Sequence, residues 1–445
     1  MDSTVRRLDA PALSLLGLHE ALPQRYPFLL QSGAYGVEHA RFDILFAFPG
    51  EHLALDGARL SGSVQPEEHD FLHALDRWYR AESNGRCAAT GLPFGGGWFL
   101  YLGFELAAQI EPSLRQQPAP AGLPTALAVR CRGALVRDRR DASLWAVAES
   151  DELAAQLVAD GGRAPEWRAC PFAATVCRED DPAAYREGVQ AIRDYIRAGD
   201  VFQVNLAREW RASLPARVTP SQLYAALQQA NPAPFAGLMR WGGSAVISSS
   251  PERLLKIENG RAQTRPIAGT RPRRGEDAAM TRELLAHPKE RAEHVMLIDL
   301  ERNDLGRVCR YGSIRVDELM VPESYAHVHH IVSSVSGELR GDVGPGATLR
   351  AIFPGGTITG CPKVRCMEII AELESGGRGA YTGAFGYLGL DGRLDSNILI
   401  RSLTQHGREV AFKAGAGIVS DSDPQQELEE TRAKARGLLL ALGAA

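Results

Sequence analysis

The sequence predicts an α+β fold in which short, turn-linked strands alternate with a few long, capped helices. Three observations carry this reading. Asn259-Gly260 lies between two strand-like runs, and an Asn-Gly pair in that setting is the strongest short-range signal of an antiparallel hairpin. Residues 201–208 alternate Phe202, Val204 and Leu206 with Gln203, Asn205 and Ala207, the period of a strand with one face open to polar work. Asp181-Pro182 and Asp423-Pro424 each set an N-cap aspartate before a proline at the first helical position.

At 445 residues the chain could make two or three average domains or one large one. The charged fraction of 23% and net charge of -4 leave no basic excess to hold nucleic acid or an anionic membrane. No run of 18 apolar residues occurs, and the first residues lack an apolar stretch before a small-residue cleavage site, so a cytoplasmic location is expected. The seven cysteines are scattered and form no Cys-x-x-Cys pair, which fits reduced thiols. Cys361 and Cys366 have no nearby histidine to complete a zinc set.

Taken in order, residues 15–149 show short apolar runs broken by Gly, Pro and charges, a pattern of strands more than helices. Within it, residues 127–136 and 144–148 read as a hairpin. Residues 159–181 lose all periodicity, which places a boundary between an N-terminal region, 1–178, and a catalytic region, 179–445. Tyr185, Val189, Ile192 and Ile196 share one face of a helix that Gly199 stops. A second helix covers residues 219–230. Strands follow at 244–250 and 253–257, and the Asn-Gly turn after them is expected to bring Glu252 and Ala268 onto neighbouring antiparallel positions. A helix over 289–305 carries Glu290 and Glu293 on one face. His327, His329 and His330 lie in a strand-like run, residues 353–363 form a loop leading into a helix to 374, strands follow at 381–390 and 396–403, a Gly-interrupted strand covers 413–419, and a last helix starts at Asp423.

The stretch Arg265-Pro266-Ile267-Ala268-Gly269-Thr270-Arg271-Pro272 sets two residues between a proline and a glycine, as in a rigid loop that approaches a ligand closely. With Ser250-Pro251-Glu252-Arg253, Asp299-Leu300-Glu301-Arg302-Asn303-Asp304-Leu305-Gly306-Arg307, the Phe353 to Lys363 loop, Gly415-Ala416-Gly417 and Glu429-Glu430-Thr431, all in order, it resembles the chorismate-utilising enzymes. Within that family it is similar to the synthase subunits of aminodeoxychorismate synthases and anthranilate synthases. The resemblance implies two large stacked antiparallel sheets with helices outside and a site in the cleft between them. It also implies roles for individual residues. Arg401 clamps a substrate carboxylate, helped by Tyr381, Thr357, Thr270 and the Gly415, Ala416 and Gly417 backbone; Glu293, Glu430 and Glu290 hold Mg2+; Glu252 protonates the departing C4 hydroxyl; His330 and Lys363 lie near the reacting ring.

Two positions refine the reading. Many aminodeoxychorismate synthases have a nucleophilic lysine at the position of Ala268, whereas anthranilate synthases and a subset of the former have alanine, so ammonia itself must attack C2. Gln203 stands where water-using relatives have a lysine base, which disfavours hydroxylation. Phe235 and Gln31, in place of the tyrosine and glutamate of anthranilate synthases, favour aminodeoxychorismate as the product. Cys361 is followed by Pro362 and Cys87 by Ala88-Ala89, so no Gly-x-Cys-x-Gly glutaminase elbow is present, and a separate glutamine amidotransferase subunit is the expected source of ammonia.

Overall fold

The structure, a computed structural model, describes all residues except 1, 2, 11, 34–40, 64–68, 84–90, 164–165, 273–287, 325–327 and 445, and omits the side chains of 268, 270–272, 288–290, 324, 328 and 329. Its described strands join into one antiparallel network with helices packed outside, the α+β class that the sequence predicts.

The strand that organises the site is Gln203–Ser213. It pairs with Glu409–Ile418 along its whole length, from Ser213↔Glu409 to Val204↔Ile418. Beyond Glu409–Ile418 lie Ser402–His406, Ser244–Ser250 and Phe235–Trp241 in turn. Strands of the N-terminal region are built into the same network: Phe28–Leu30 pairs with Phe235–Trp241, and Gly97–Leu102 pairs with Ala384–Gly389. A third ladder runs from Val176–Glu179, at the boundary itself, to Gln203–Ser213, so strand pairing joins the regions 1–178 and 179–445.

Alternation fixes which face of the central ladder is buried. Val204, Leu206, Ala416 and Ile418 point to one side, where they meet Tyr185, Val189 and Ile192 of the helix Pro182–Ala198, Met367 and Ile370 of the helix Lys363–Leu373, and Leu428 of the closing helix Pro424–Ala441. Each such side chain contributes roughly 1.5–3 kcal/mol by leaving water. The opposite face carries Gln203, Asn205, Gly415 and Gly417, and it is this face that the site uses.

The capping signals are realised. Asp181 and Asp423 accept N–H groups of the first turns they precede, and Gly199 ends its helix at φ 87°. The hairpin Arg253–Glu258 and Arg261–Thr264 turns through Asn259 and Gly260 at φ 52° and 73°, the left-handed pair that the turn demands. The predicted hairpin of the N-terminal region is also present, as Ala126–Asp138 against Leu144–Ala148.

Two expectations are corrected. Helices Leu15–Ala21 and Phe71–Ser83 occur where the pattern suggests strands, and Asp151–Arg163 runs into the stretch from 159 that shows no periodicity. In Phe71–Ser83 the buried face includes Asp76, whose carboxylate accepts the N–H groups of Gly346 and Ala347 at 2.7 and 3.0 Å and so caps the distant helix Pro345–Ile352. A polar residue doing a tertiary job interrupts the apolar period. The second correction concerns register: Ala268 pairs with Ile331 and Arg253 with Asn397, so Glu252 and Ala268 are not on neighbouring strand positions.

Candidate active site

The floor of the site is bare backbone. A Cβ at Gly415 would lie 2.6 Å from the Leu206 carbonyl oxygen and 2.9 Å from both Asn205 Oδ1 and the Tyr381 hydroxyl; one at Gly417 would lie 2.2 Å from Gln203 Nε2. No side chain fits there, so the polar ends of Gln203, Asn205 and Tyr381 close directly on the strand, with Ala416 between the glycines turned into the core. Burial pushes the Tyr381 phenol up to about 12, which keeps its hydroxyl a donor at neutral pH.

Arg401 stands beside this floor at φ 54°, a left-handed conformation that costs a non-glycine residue energy. Its Nη1 donates to the Lys434 carbonyl. Among the described residues no carboxylate pairs with it, and burial lowers its pKa. Lys434, which the sequence reading missed, donates from Nζ to the Gly415 carbonyl at 2.9 Å and pairs with Glu430 at 2.7 Å. The one available signal was its spacing, four residues after Glu430 on the closing helix.

Glu252, 4% exposed, follows the strand Ser244–Ser250, whose Ser249 N–H donates to the Arg401 carbonyl at 3.0 Å. Thr357, in the 3-10 turn Gly356–Ile358, donates to Glu252 Oε1 at 2.7 Å, and the Ile267 N–H also reaches the carboxyl group. That N–H joins Glu252 to the segment whose strand pairing was misjudged. Burial, reinforced by the charge of Glu301, raises the Glu252 pKa to about 8 against the smaller opposing effects of these hydrogen bonds and Lys434. At neutral pH the group is a carboxylic acid, able to give up a proton.

The strand Ile267–Pro272 pairs with Val328–Glu338, bringing Thr270 opposite His330, with a bulge at Gly269 where φ is 65°. His330 Nδ1 lies 3.3 Å from the Gly269 carbonyl oxygen. The side chains of Ala268, Thr270 and Glu290 and the whole of His327 lie outside the described residues. Lys363 is committed to an internal ion pair: its Nζ lies 2.5 Å from Asp304 Oδ2 and donates to the Ile352 carbonyl at 3.0 Å. Among the described residues, no group of three His, Cys, Asp or Glu side chains gathers as a metal cage. Glu293, half-buried on the helix Pro288–Gly306, and Glu430 offer only carboxylate oxygens, the donor type a hard cation such as Mg2+ takes together with water or substrate oxygens.

Comparison with known proteins gives the family of the chain. The family model described as chorismate binding enzyme matches residues 27–440. Anthranilate synthase component 1 of Thermus thermophilus is 40% identical over 98% of this chain and 96% of its own length. Aminodeoxychorismate synthase component 1 of Bacillus subtilis is 39% identical over 84% of this chain and 83% of its own length. Among solved structures, anthranilate synthase component I from Streptococcus pneumoniae superposes with a TM-score of 0.82 at 31% identity, covering 90% of this chain and 92% of that one.

Proposed function

The chain belongs to the chorismate-binding enzyme family, and we propose that it is the chorismate-converting subunit of an aminodeoxychorismate synthase. The observations that carry the reading are Arg401, a buried guanidinium ion-paired to no carboxylate among the described residues, and Glu252, a buried carboxyl held in its acid form. Arg401, the Tyr381 hydroxyl and the Gly415–Gly417 backbone bind and orient the substrate carboxylates. Ammonia adds at C2 as the C4–O bond breaks, the hydroxyl leaving as water with the proton of Glu252. This gives 2-amino-2-deoxyisochorismate. A second ammonia then adds at C4 as the C2 amine departs, giving 4-amino-4-deoxychorismate, the precursor of p-aminobenzoate.

Alanine at position 268 offers no nucleophile, and the Lys363 ammonium is held on Asp304, so the intermediate stays unattached to the protein. Mg2+ would be held by Glu293 and Glu430, with Glu290 as a further ligand, and would supply positive charge to the substrate carboxylates. Gln203 and the other polar groups of the floor provide no base for activating water. A glutamine amidotransferase subunit supplies the ammonia.

A specific feature favours this product over anthranilate. A cavity of about 490 Å³ lies away from the site, lined by Gln31, Ser32, Phe235 and Asn397 among others, and at the glutamate position of the anthranilate synthase tryptophan motif it presents the neutral Gln31. The anthranilate reading, in which the same intermediate loses pyruvate, draws on Ala268 and on the Thermus relative. Incubation with chorismate, Mg2+ and an ammonium salt decides between them: aminodeoxychorismate, with no pyruvate released, is expected, and stoichiometric anthranilate and pyruvate would overturn the assignment.

A further inference from the structure

Behind Glu252 lies a group of ionisable side chains that the mechanism above leaves unused. Glu252, Glu301 and Asp304 are 4%, 5% and 4% exposed, and Lys363 is seated among them on Asp304. Glu301 and Asp304 lie three apart on the helix Pro288–Gly306, hence on one face. Two adjacent residues of the 3-10 turn hold the two carboxyl groups nearest the cleft: Gly356 donates its N–H to Glu301, and Thr357 donates its hydroxyl to Glu252. The other charges facing the group are Lys434, acting on Glu252 from the closing helix, and Arg307, acting on Asp304.

Three buried carboxyl groups with one directly bonded ammonium cannot all be ionised at neutral pH, because an uncompensated buried charge is expensive and the group takes a proton instead. The protons held there belong to the cluster rather than to single residues. We propose that Glu301, braced by the Asp304–Lys363 pair, is the positioning residue that extends the acid form of the buried Glu252 to higher pH, by placing a carboxyl group behind it on the same Gly356-Thr357 turn. This rests on the assignment of Glu252 as the acid. The environment agrees with it: Glu301 is pushed up to about 7 and Glu252 to about 8, both chiefly by burial, so Glu301 gives up its proton first and its charge then holds the proton on Glu252.

Glu301→Gln keeps an acceptor for the Gly356 N–H and removes the charge. Chorismate consumption is followed against pH at constant free ammonia, with thermal melting to show that the variant is folded. In the variant the alkaline limb, where Glu252 loses its proton, is expected about one pH unit lower, with the chorismate KM below that limb changed by less than about twofold. An infrared titration of the substrate-free proteins reads the same coupling without turnover: compared with wild type, the variant lacks one carboxylic-acid band, that of Glu301, and loses the Glu252 band at lower pH. A folded variant with its limb and its remaining band unmoved, or moved upward, overturns the proposal. If neither protein consumes chorismate, the functional reading fails and the infrared comparison alone decides the role of Glu301.

Discussion

Arg401 is held by one carbonyl in a strained backbone conformation, in the field of Glu430 but ion-paired to no carboxylate among the described residues, and on the proposed reading its fork receives a substrate carboxylate. Replacing it with lysine keeps the charge and loses the paired donors. Arg401→Lys is expected to raise the chorismate KM about tenfold or more, since charge-assisted hydrogen bonds contribute about 1.5–3 kcal/mol; steady-state kinetics check this, and an unchanged KM would remove Arg401 from the binding site. Glu252 makes a separate prediction about stability. Its folded pKa, about 8, is above the ordinary carboxyl value, so the folded state binds the proton more tightly than the unfolded one. Its contribution is full below pH ~4.5 and is lost as pH rises toward 8, at up to about 1.4 kcal/mol per pH unit. In urea unfolding, the stability difference between wild type and Glu252→Gln should therefore shift against wild type as pH rises from 5 to 8, and the variant should lower turnover about 10²–10⁴-fold.

At the scale of elements, what could be read from the sequence was what depends on neighbours in sequence. Asn259-Gly260 dictates its turn through two φ angles, and Asp181-Pro182 and Asp423-Pro424 dictate their helix starts through local hydrogen bonds. Asp76, Lys434 and the pairing of Ala268 were hidden because each depends on a partner far along the chain. Asp76 interrupts the pattern of Phe71–Ser83 in order to cap Pro345–Ile352, so Asp76→Ala should destabilise the protein by about 1–3 kcal/mol, leaving two N–H groups unpaired while the helix around it gains propensity. Denaturant midpoints test this, and a neutral result would mean that water takes over the cap. The candidate site residues came from a different source, the order of motifs that resembles one family; the burial that holds the Glu252 proton, and its contact with a turn about a hundred residues on, were not legible in the sequence. The closing helix carries Glu430 on its Lys434 pair, and Pro288–Gly306 carries Glu293. If these two carboxylates hold Mg2+, calorimetric titration should show binding to wild type that Glu293→Gln and Glu430→Gln each weaken at least about tenfold.

At the scale of the whole molecule, strands of the N-terminal region pair with Phe235–Trp241 and with Ala384–Gly389, the strand that follows Tyr381, so the framework around the site draws on both regions of the chain. On the proposed reading, the nitrogen has to be supplied to this chain from elsewhere. A glutaminase nucleophile is a thiolate on an exposed elbow, with its pKa depressed. Here burial pushes the Cys131, Cys309, Cys361 and Cys366 thiols up, and Cys361 leads into Pro362 rather than Gly. Ammonia must then arrive free from solution or from a docked amidotransferase subunit, and in solution near pH 7 most of it is protonated and cannot attack C2. The acid Glu252 sets the opposite limit, since it is spent above about pH 8. With ammonium salt the isolated chain should therefore show a narrow optimum on the alkaline side of neutrality, where free ammonia and protonated Glu252 coexist. It should not turn over glutamine alone. Adding the amidotransferase should restore activity with glutamine near pH 7 and broaden the profile on its acid side only, because delivery removes the need for free ammonia and leaves the requirement for the Glu252 proton. Glutamine hydrolysis by the pure chain, or an alkaline limb that moves when the partner is added, would contradict this division of labour.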